Sequence, residues 1–308
     1  MPVRERTTEI STQVPLDLAR TLFPLRRGTG DPTMRIEPGS AWRATRTPDG
    51  PATIHLSFTP SESALRVEAW GPGAEWALER AGALAGLDDD VSGFRPQHEI
   101  LRRLHRRMPG LRLPRTERLI EALIPAVMEQ KVTGIEARRA YARLTRSLAE
   151  PAPGPQEMVA GLLLPPDPAA VAALPYHAFH PFGLERRRAQ TLRFICARAS
   201  TIEALVTRPV TAVRAHLERF PGIGVWTSAE VARLALGDAD AVSVGDYHAP
   251  HLVVWALAGE PRGTDERMLQ LLEPYRGHRG RVQRLLEASR LTAPRYGPKN
   301  RPRAIERI

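Results

Sequence analysis

The sequence predicts an α+β unit with an antiparallel sheet over residues 1–95, followed by a mainly α-helical unit over residues 96–308. Three observations carry this reading. Short runs with a two-residue hydrophobic period crowd into the first unit, and turn residues separate them. From Phe94 onward, apolar residues recur instead at three- and four-residue spacing, the period of a helix with one buried face.

The strand candidates are residues 41–47, 52–58 and 64–70. In the second, Ile54, Leu56 and Phe58 alternate with Thr53, His55 and Ser57. Pro48-Asp49-Gly50 is a tight-turn signature, and residues 59–63 form a second connector. A helix over residues 74–87 and an acidic, glycine-ended break at 88–93 close the unit. In the second unit, Leu119, Leu123 and Val127 are spaced by four, and Pro125 predicts a kink or an early end. Residues 129–132 read as a turn, because Thr133 and Glu136 form a capping box that opens the next helix. Residues 151–168 are a proline-rich loop interrupted by a short apolar helix, and a further helix spans residues 184–200. The LRRLHRR run from Leu101 to Arg107 is either a solvated helix face or one that meets phosphates. The tail after Leu291, with Arg295, Lys299, Arg301, Arg303 and Arg307, is a basic arm or a frayed end.

Hydrophobic residues make up 42% of the 308 residues, enough for a sizeable core. Lysine and arginine number 44 against 34 aspartates and glutamates, a formal charge of +10. That excess favours a polyanionic partner, nucleic acid or an anionic membrane surface, although arginine-rich usage also follows from a GC-rich genome. The single cysteine, Cys196, excludes an internal disulfide, a multi-thiolate zinc site and an iron–sulfur cluster, and its apolar run marks it as a core residue. The N-terminal residues lack the apolar stretch of a signal peptide, and no apolar run approaches the ~20 residues of a spanning helix. A soluble cytoplasmic protein is expected. His177, His180, His248 and His251 have H-x-x-H spacings, which are not the i, i+4 pairs of helical zinc sites.

Residues 208–237 carry the strongest local signal. Val210, Val213, Leu217 and Phe220 line one helix face, and Val225, Ala229, Ala232 and Leu236 line the next. Phe220-Pro-Gly-Ile-Gly224 joins them in a turn whose glycines expose successive N–H groups at a helix N-terminus, where an anion is favoured. Such a hairpin is a plain αα-turn, or it holds a DNA phosphate without reading a base. A second segment, residues 241–248, places Asp246 just before a third apolar helix. An aspartate there is an N-cap by default, and the helix terminus keeps its carboxylate ionised.

The run FPGIGVWTSA, followed by VGDYH, resembles the helix-hairpin-helix–Gly/Pro–Asp (HhH-GPD) signature of base-excision DNA glycosylases. The chain is most similar to the bacterial alkylation-inducible 3-methyladenine type. Residues 109–114, 130–133 and 183–189 are similar as well, and the first unit corresponds to that family's TATA-binding-protein-like domain. The resemblance implies Asp246 as the catalytic aspartate. It implies DNA contacts through backbone N–H groups of Gly222, Gly224 and Thr227, with Gln130 beside Lys131, which would enter the gap left by a flipped nucleotide. The family's residue at that point is apolar, so the lysine is a departure. The carbonyls of Glu218, Phe220 and Ile223 would hold a structural monovalent cation, and no other cofactor is expected.

Trp226 stands where the bifunctional glycosylase–lyases carry lysine, so no Schiff base is expected. It is either a pocket aromatic, able to face a cationic purine, or a core tryptophan. Tyr247 and Tyr275 are the other pocket candidates, and Glu230 replaces a pocket tyrosine. A base alkylated at N3 or N7 is already cationic and leaves without a proton, so one ionised carboxylate suffices where glycoside hydrolases use two. The resulting expectation is a monomeric DNA-repair enzyme, nucleoid-associated and bacterial, that acts on damaged double-stranded DNA. The alternatives are a non-catalytic hairpin module and a glycosylase for deaminated or other damaged bases.

Overall fold

A computed structural model of the chain describes residues 5–294; the basic tail from Arg295 lies outside the described residues. Five strands form the first unit: β1 (Glu5–Ser11), β2 (Met34–Glu37), β3 (Ser40–Thr47), β4 (Gly50–Thr59) and β5 (Ala64–Trp70). They pair antiparallel throughout, in the order β1-β5-β4-β3-β2. The three central strands coincide with the expected runs. The two edge strands were not anticipated, because β1 is polar along most of its length and β2 has only four residues. An edge strand needs only one partner, so its own hydrophobic period is a weak signal. Gly50, after the Pro48-Asp49 turn, adopts φ +119°, which a side chain would resist.

Between β1 and β2 lies α1 (Leu18–Leu22), and after β5 come α2 (Ala74–Glu79) and α3 (Ala81–Leu84). The single helix expected over 74–87 is thus broken at Arg80. These helices cover one sheet face, where Ile54, Leu56, Leu65 and Val67 meet Leu18, Leu22, Ala77 and Leu84. The other face carries stacked Trp42 and Trp70, 5.5 Å apart, and is covered by Ala152, Val159, Leu162 and Leu164. The proline-rich loop of the second unit therefore serves as the lid of the first unit's core.

The remaining helices are α4 (Glu99–Arg107), α5 (Leu119–Met128), α6 (Gly134–Leu148), α7 (Gln156–Val159), α8 (Pro168–Ala173), α9 (Arg186–Cys196), α10 (Ala199–Glu203), α11 (Val210–Leu217), α12 (Val225–Ala235), α13 (Ala249–Ala258), α14 (Asp265–Leu272) and α15 (Arg279–Ala288). One core gathers α5, α6, α9 and α12, and another gathers α4, α13, α14 and α15. In α4 only Leu101 and Leu104 are buried, so the LRRLHRR arginines form a solvated face. Cys196 is a buried thiol pushed up to about 12 by burial, a core residue and no nucleophile. Among the described residues no helix is long and apolar enough to cross a membrane.

Helix α5 is buried along almost its whole length and passes through Pro125 before ending one turn later. Its Glu121 is the main tie to the sheet. That carboxylate accepts from Arg43 Nη2 at 2.6 Å, Thr45 Oγ1 at 2.8 Å and the Arg46 N–H at 2.6 Å. Breaking a buried pair of this kind costs about 3–5 kcal/mol, so the two units are held in a fixed relation. The cavity they enclose, lined by Arg27, Thr33, Arg43, Glu121 and Tyr141, is polar and does not reach Asp246.

Candidate active site

The site grows from the turn between α11 and α12. The Phe220 N–H donates to the Leu217 carbonyl, and the Ile223 N–H donates to the Phe220 carbonyl, each at 3.0 Å, which closes the turn tightly. Gly222 has φ +85°, and a Cβ there would sit 2.4 Å from Thr191 Oγ1 on α9. Conformation and close approach both demand glycine. Gly224 differs, for its backbone is extended and a Cβ would meet nothing within 4 Å. The fold itself therefore leaves open space beside Gly224. Gly222, Gly224 and Val225 are exposed, and the first-turn N–H groups of α12 have no partner within their own helix.

Thr227 is buried, and its hydroxyl accepts from Gln130 Nε2 at 2.9 Å. The same Nε2 donates to the Gly222 carbonyl at 2.8 Å. Gln130 thus ties the turn after α5 to the hairpin. Its Nε2 is engaged within the protein. Lys131 follows with φ +56° and an exposed side chain, and the capping box then opens α6, with the Thr133 N–H donating to Glu136 Oε2 at 2.7 Å.

Asp246 lies at the end of a loop anchored on the other side. The buried Ser243 N–H donates to Gln283 Oε1 on α15 at 3.1 Å, and Ser243 Oγ bonds Glu230. Gly245 turns the chain at φ +88°. Asp246 Oδ1 then accepts from the N–H groups of His248 and Ala249, at 2.7 and 2.8 Å. The residue at the N-cap place of α13 is His248, whose side chain makes no cap bond, so Asp246 caps the helix from two residues upstream. Its second oxygen, Oδ2, accepts from the Trp226 indole Nε1 at 3.1 Å. The structure thus brings together the aspartate and the first turn of the hairpin's second helix. Trp226 is half-buried and tethers the carboxylate; it is not packed away in the core.

Tyr247 is 71% exposed and stands edge-on to His248 and His251. Tyr275 does not join it, which corrects the expectation of a second pocket tyrosine. Its side chain is buried beneath α4, and its hydroxyl accepts from the Gln97 and His98 N–H groups at 3.2 and 3.1 Å. His251 Nδ1 accepts from the Gly263 N–H at 3.0 Å, a loop-closing role, and no group of three or more metal-ligating side chains occurs among the described residues. Glu230, one turn after Trp226, is paired with Arg233 at 2.8 Å.

A carboxyl near the hairpin that the sequence does not single out is Glu129. It is the C-cap of α5, immediately before Gln130, and Arg27 Nη1 donates to its Oε1 at 3.4 Å. Burial pushes its carboxyl above the usual carboxylate range; Arg27 and Arg138 pull against this, and the Glu230 and Asp246 carboxylates add to it.

No protein-family model matches the chain, and no curated protein matches it in sequence. Solved structures do. A 3-methyladenine DNA glycosylase from Archaeoglobus fulgidus superposes with a TM-score of 0.75 at 19% identity, over 92% of this chain and 98% of that one. The Clostridium acetobutylicum 8-oxoguanine glycosylase/lyase, in complex with double-stranded DNA, gives 0.67 at 13% identity over 93% and 96%. A 3-methyladenine DNA glycosylase of Schizosaccharomyces pombe, in complex with abasic DNA, gives 0.53 at 18% identity over 67% and 97%. These neighbours are HhH-GPD DNA glycosylases, and the chain shares their fold.

Proposed function

We propose that this protein is a monofunctional DNA glycosylase of base excision repair, which flips alkylated purines out of double-stranded DNA and hydrolyses their N-glycosidic bond. The observation that carries the reading is the Trp226–Asp246 hydrogen bond, because it sets an oriented carboxylate beside the open first turn of the hairpin. Gly222 and Gly224, with the first-turn N–H groups of α12, hold a strand phosphate. Asp246, bound by two N–H groups at the start of α13, stabilises the oxocarbenium-like sugar while water attacks. Trp226 occupies the place of the lyase lysine, so strand cleavage through a Schiff base does not follow. Tyr247 and the Trp226 ring offer aromatic faces to a cationic base, worth about 0.5–2 kcal/mol.

Where the resemblance implies a monovalent cation, the carbonyls of Glu218, Phe220 and Ile223 would hold it within one tight turn. The Phe220 oxygen already accepts the Ile223 N–H and keeps a second lone pair, so the donor set fits. Bound there, the ion would stiffen the hairpin. Trp226, in place of a lysine, favours hydrolysis over lyase chemistry.

Asp246→Asn decides the matter. Asparagine keeps the cap, so folding and DNA affinity are expected to stay within about twofold, while single-turnover base release from methylated DNA falls about a thousandfold. Equal release by the variant would remove the glycosylase reading and leave a hairpin that only binds. Affinity is expected to fall steeply with salt, as phosphate contacts require.

A further inference from the structure

Resting on the reading above, we infer that Glu129 is a second catalytic carboxyl, the general acid that protonates the departing base when that base is neutral. Four observations place it. First, Glu129 and Gln130 are consecutive, and Gln130 Nε2 reaches Thr227 Oγ1 at 2.9 Å, next to Trp226. Trp226 Nε1 in turn reaches Asp246 Oδ2 at 3.1 Å. The end of α5 is therefore pinned to the hairpin, one residue along α12 from the indole that holds Asp246. Second, Glu129 is the C-cap of α5, at the negative end of the helix dipole, where a carboxylate is disfavoured and a carboxylic acid is not.

Third, the groups around it come from four elements. Arg27 arrives from the segment after α1, Arg138 from α6, Glu230 from α12 and Asp246 from the loop before α13. Glu230 is already neutralised by Arg233 at 2.8 Å, and Asp246 is held by two N–H groups and an indole. Glu129 is less well served. Its hydrogen bond from Arg27 is long, at 3.4 Å, well beyond the 2.7–2.9 Å of a strong charge-assisted pair. With so weak a partner, burial is the leading influence on it and raises its pKa. Fourth, its side chain retains 26% exposure, so the acid is reachable.

The chemistry closes without a further reactant. As the C1′–N bond breaks, its electron pair goes to the base, and the Glu129 proton moves to a ring nitrogen. Water adds its oxygen to C1′, stabilised by Asp246, and the proton that water sheds restores the Glu129 acid. A cationic base needs no such proton, so Glu129 extends the substrate class from alkylated purines to neutral ones such as hypoxanthine.

The test compares wild type with Glu129→Gln on two DNA duplexes, one carrying 7-methylguanine and one hypoxanthine, in single-turnover base release between pH 5 and 8.5. Glutamine keeps the shape and the hydrogen bond to Arg27 but cannot transfer a proton. For wild type, hypoxanthine release is expected to fall as pH rises, while 7-methylguanine release stays nearly level over the same range. Glu129→Gln is expected to lower hypoxanthine release about a hundredfold or more at pH 6 and to abolish that slope, with 7-methylguanine release changed less than about threefold. An equal effect on both bases, or none on either, overturns the inference. So does a wild type that frees 7-methylguanine but no hypoxanthine. A wild type that frees neither base overturns the glycosylase reading itself, which keeps the two failures apart. Circular dichroism of the variant confirms that a lost rate is not lost folding.

Discussion

The two ends of α5 each hold a partly buried glutamate, and they surround it with different groups. At the N-terminus, Glu203 from α10 accepts the Leu119 and Ile120 N–H groups at 3.0 Å each and pairs with Arg118 at 3.3 Å. Burial raises its pKa, but Arg118 and two N–H groups at the positive end of a helix oppose the rise, and both oxygens act as acceptors, an arrangement suited to the ionised form. At the C-terminus, Glu129 meets the negative end of the same helix, one long bond from Arg27, and the carboxylates of Glu230 and Asp246. One glutamate thus caps a core helix, and the other is the acid proposed above. What separates them is the direction of the helix and the number of donors, and burial alone does not.

The largest test of that contrast is on stability. Glu203→Ala leaves two N–H groups and the Arg118 guanidinium without their acceptor in a largely buried place. Removing one member of such a pair is expected to cost about 3–5 kcal/mol in urea unfolding, with an unchanged slope. A loss below about 1 kcal/mol would mean that water replaces Glu203 as the cap, and the two ends would then be less different than their geometry implies.

These interactions explain what the sequence could and could not disclose. The hairpin, the capping box at Thr133 and the aspartate before α13 are local, written within a few residues of one another, and the periodicity around them places their helices. Glu129 was read only as part of a turn, because its meaning lies in Arg27, 102 residues away, and in two carboxylates on other elements. Tyr275 failed for the converse reason. An aromatic near the end of a helical unit suits a pocket or a core equally well, and the burial of Tyr275, with its hydroxyl bound by the Gln97 and His98 N–H groups, decides for the core. The sequence leaves the Trp226 indole between pocket and core, and the 3.1 Å bond adds a tether to Asp246 that no local pattern announces. The edge strands were missed because pairing, more than their own pattern, makes them strands.

A smaller effect sharpens the contrast at the other end of α5. A carboxyl whose folded pKa is raised binds its proton more tightly folded than unfolded, so stability is full below the ordinary value near 4.5 and declines as pH rises toward the folded value. Glu129→Gln removes that decline. The variant is expected to match wild type at pH 4 and to exceed it by about 1 kcal/mol at pH 8, the scale of an unfavourable helix-end charge. A variant less stable at pH 8 than wild type would show that the Arg27 bond outweighs burial and the neighbouring carboxylates.

The smallest expected change lies two residues further on, at Lys131, and it separates a strained functional residue from a structural one. Its φ of +56° costs a non-glycine residue about 1–2 kcal/mol, partly offset in comparison with glycine by the latter's greater chain entropy. Lys131→Gly is therefore expected to stabilise the protein by about 0.5 kcal/mol. If the exposed side chain fills the gap left by a flipped nucleotide, the same variant loses about tenfold in base release, because extrusion costs a few kcal/mol that no residue then repays. Higher stability with undiminished release would show that the left-handed turn is kept for the sake of Gln130, which crosses to Gly222 and Thr227, and that the strand is held open by some other group.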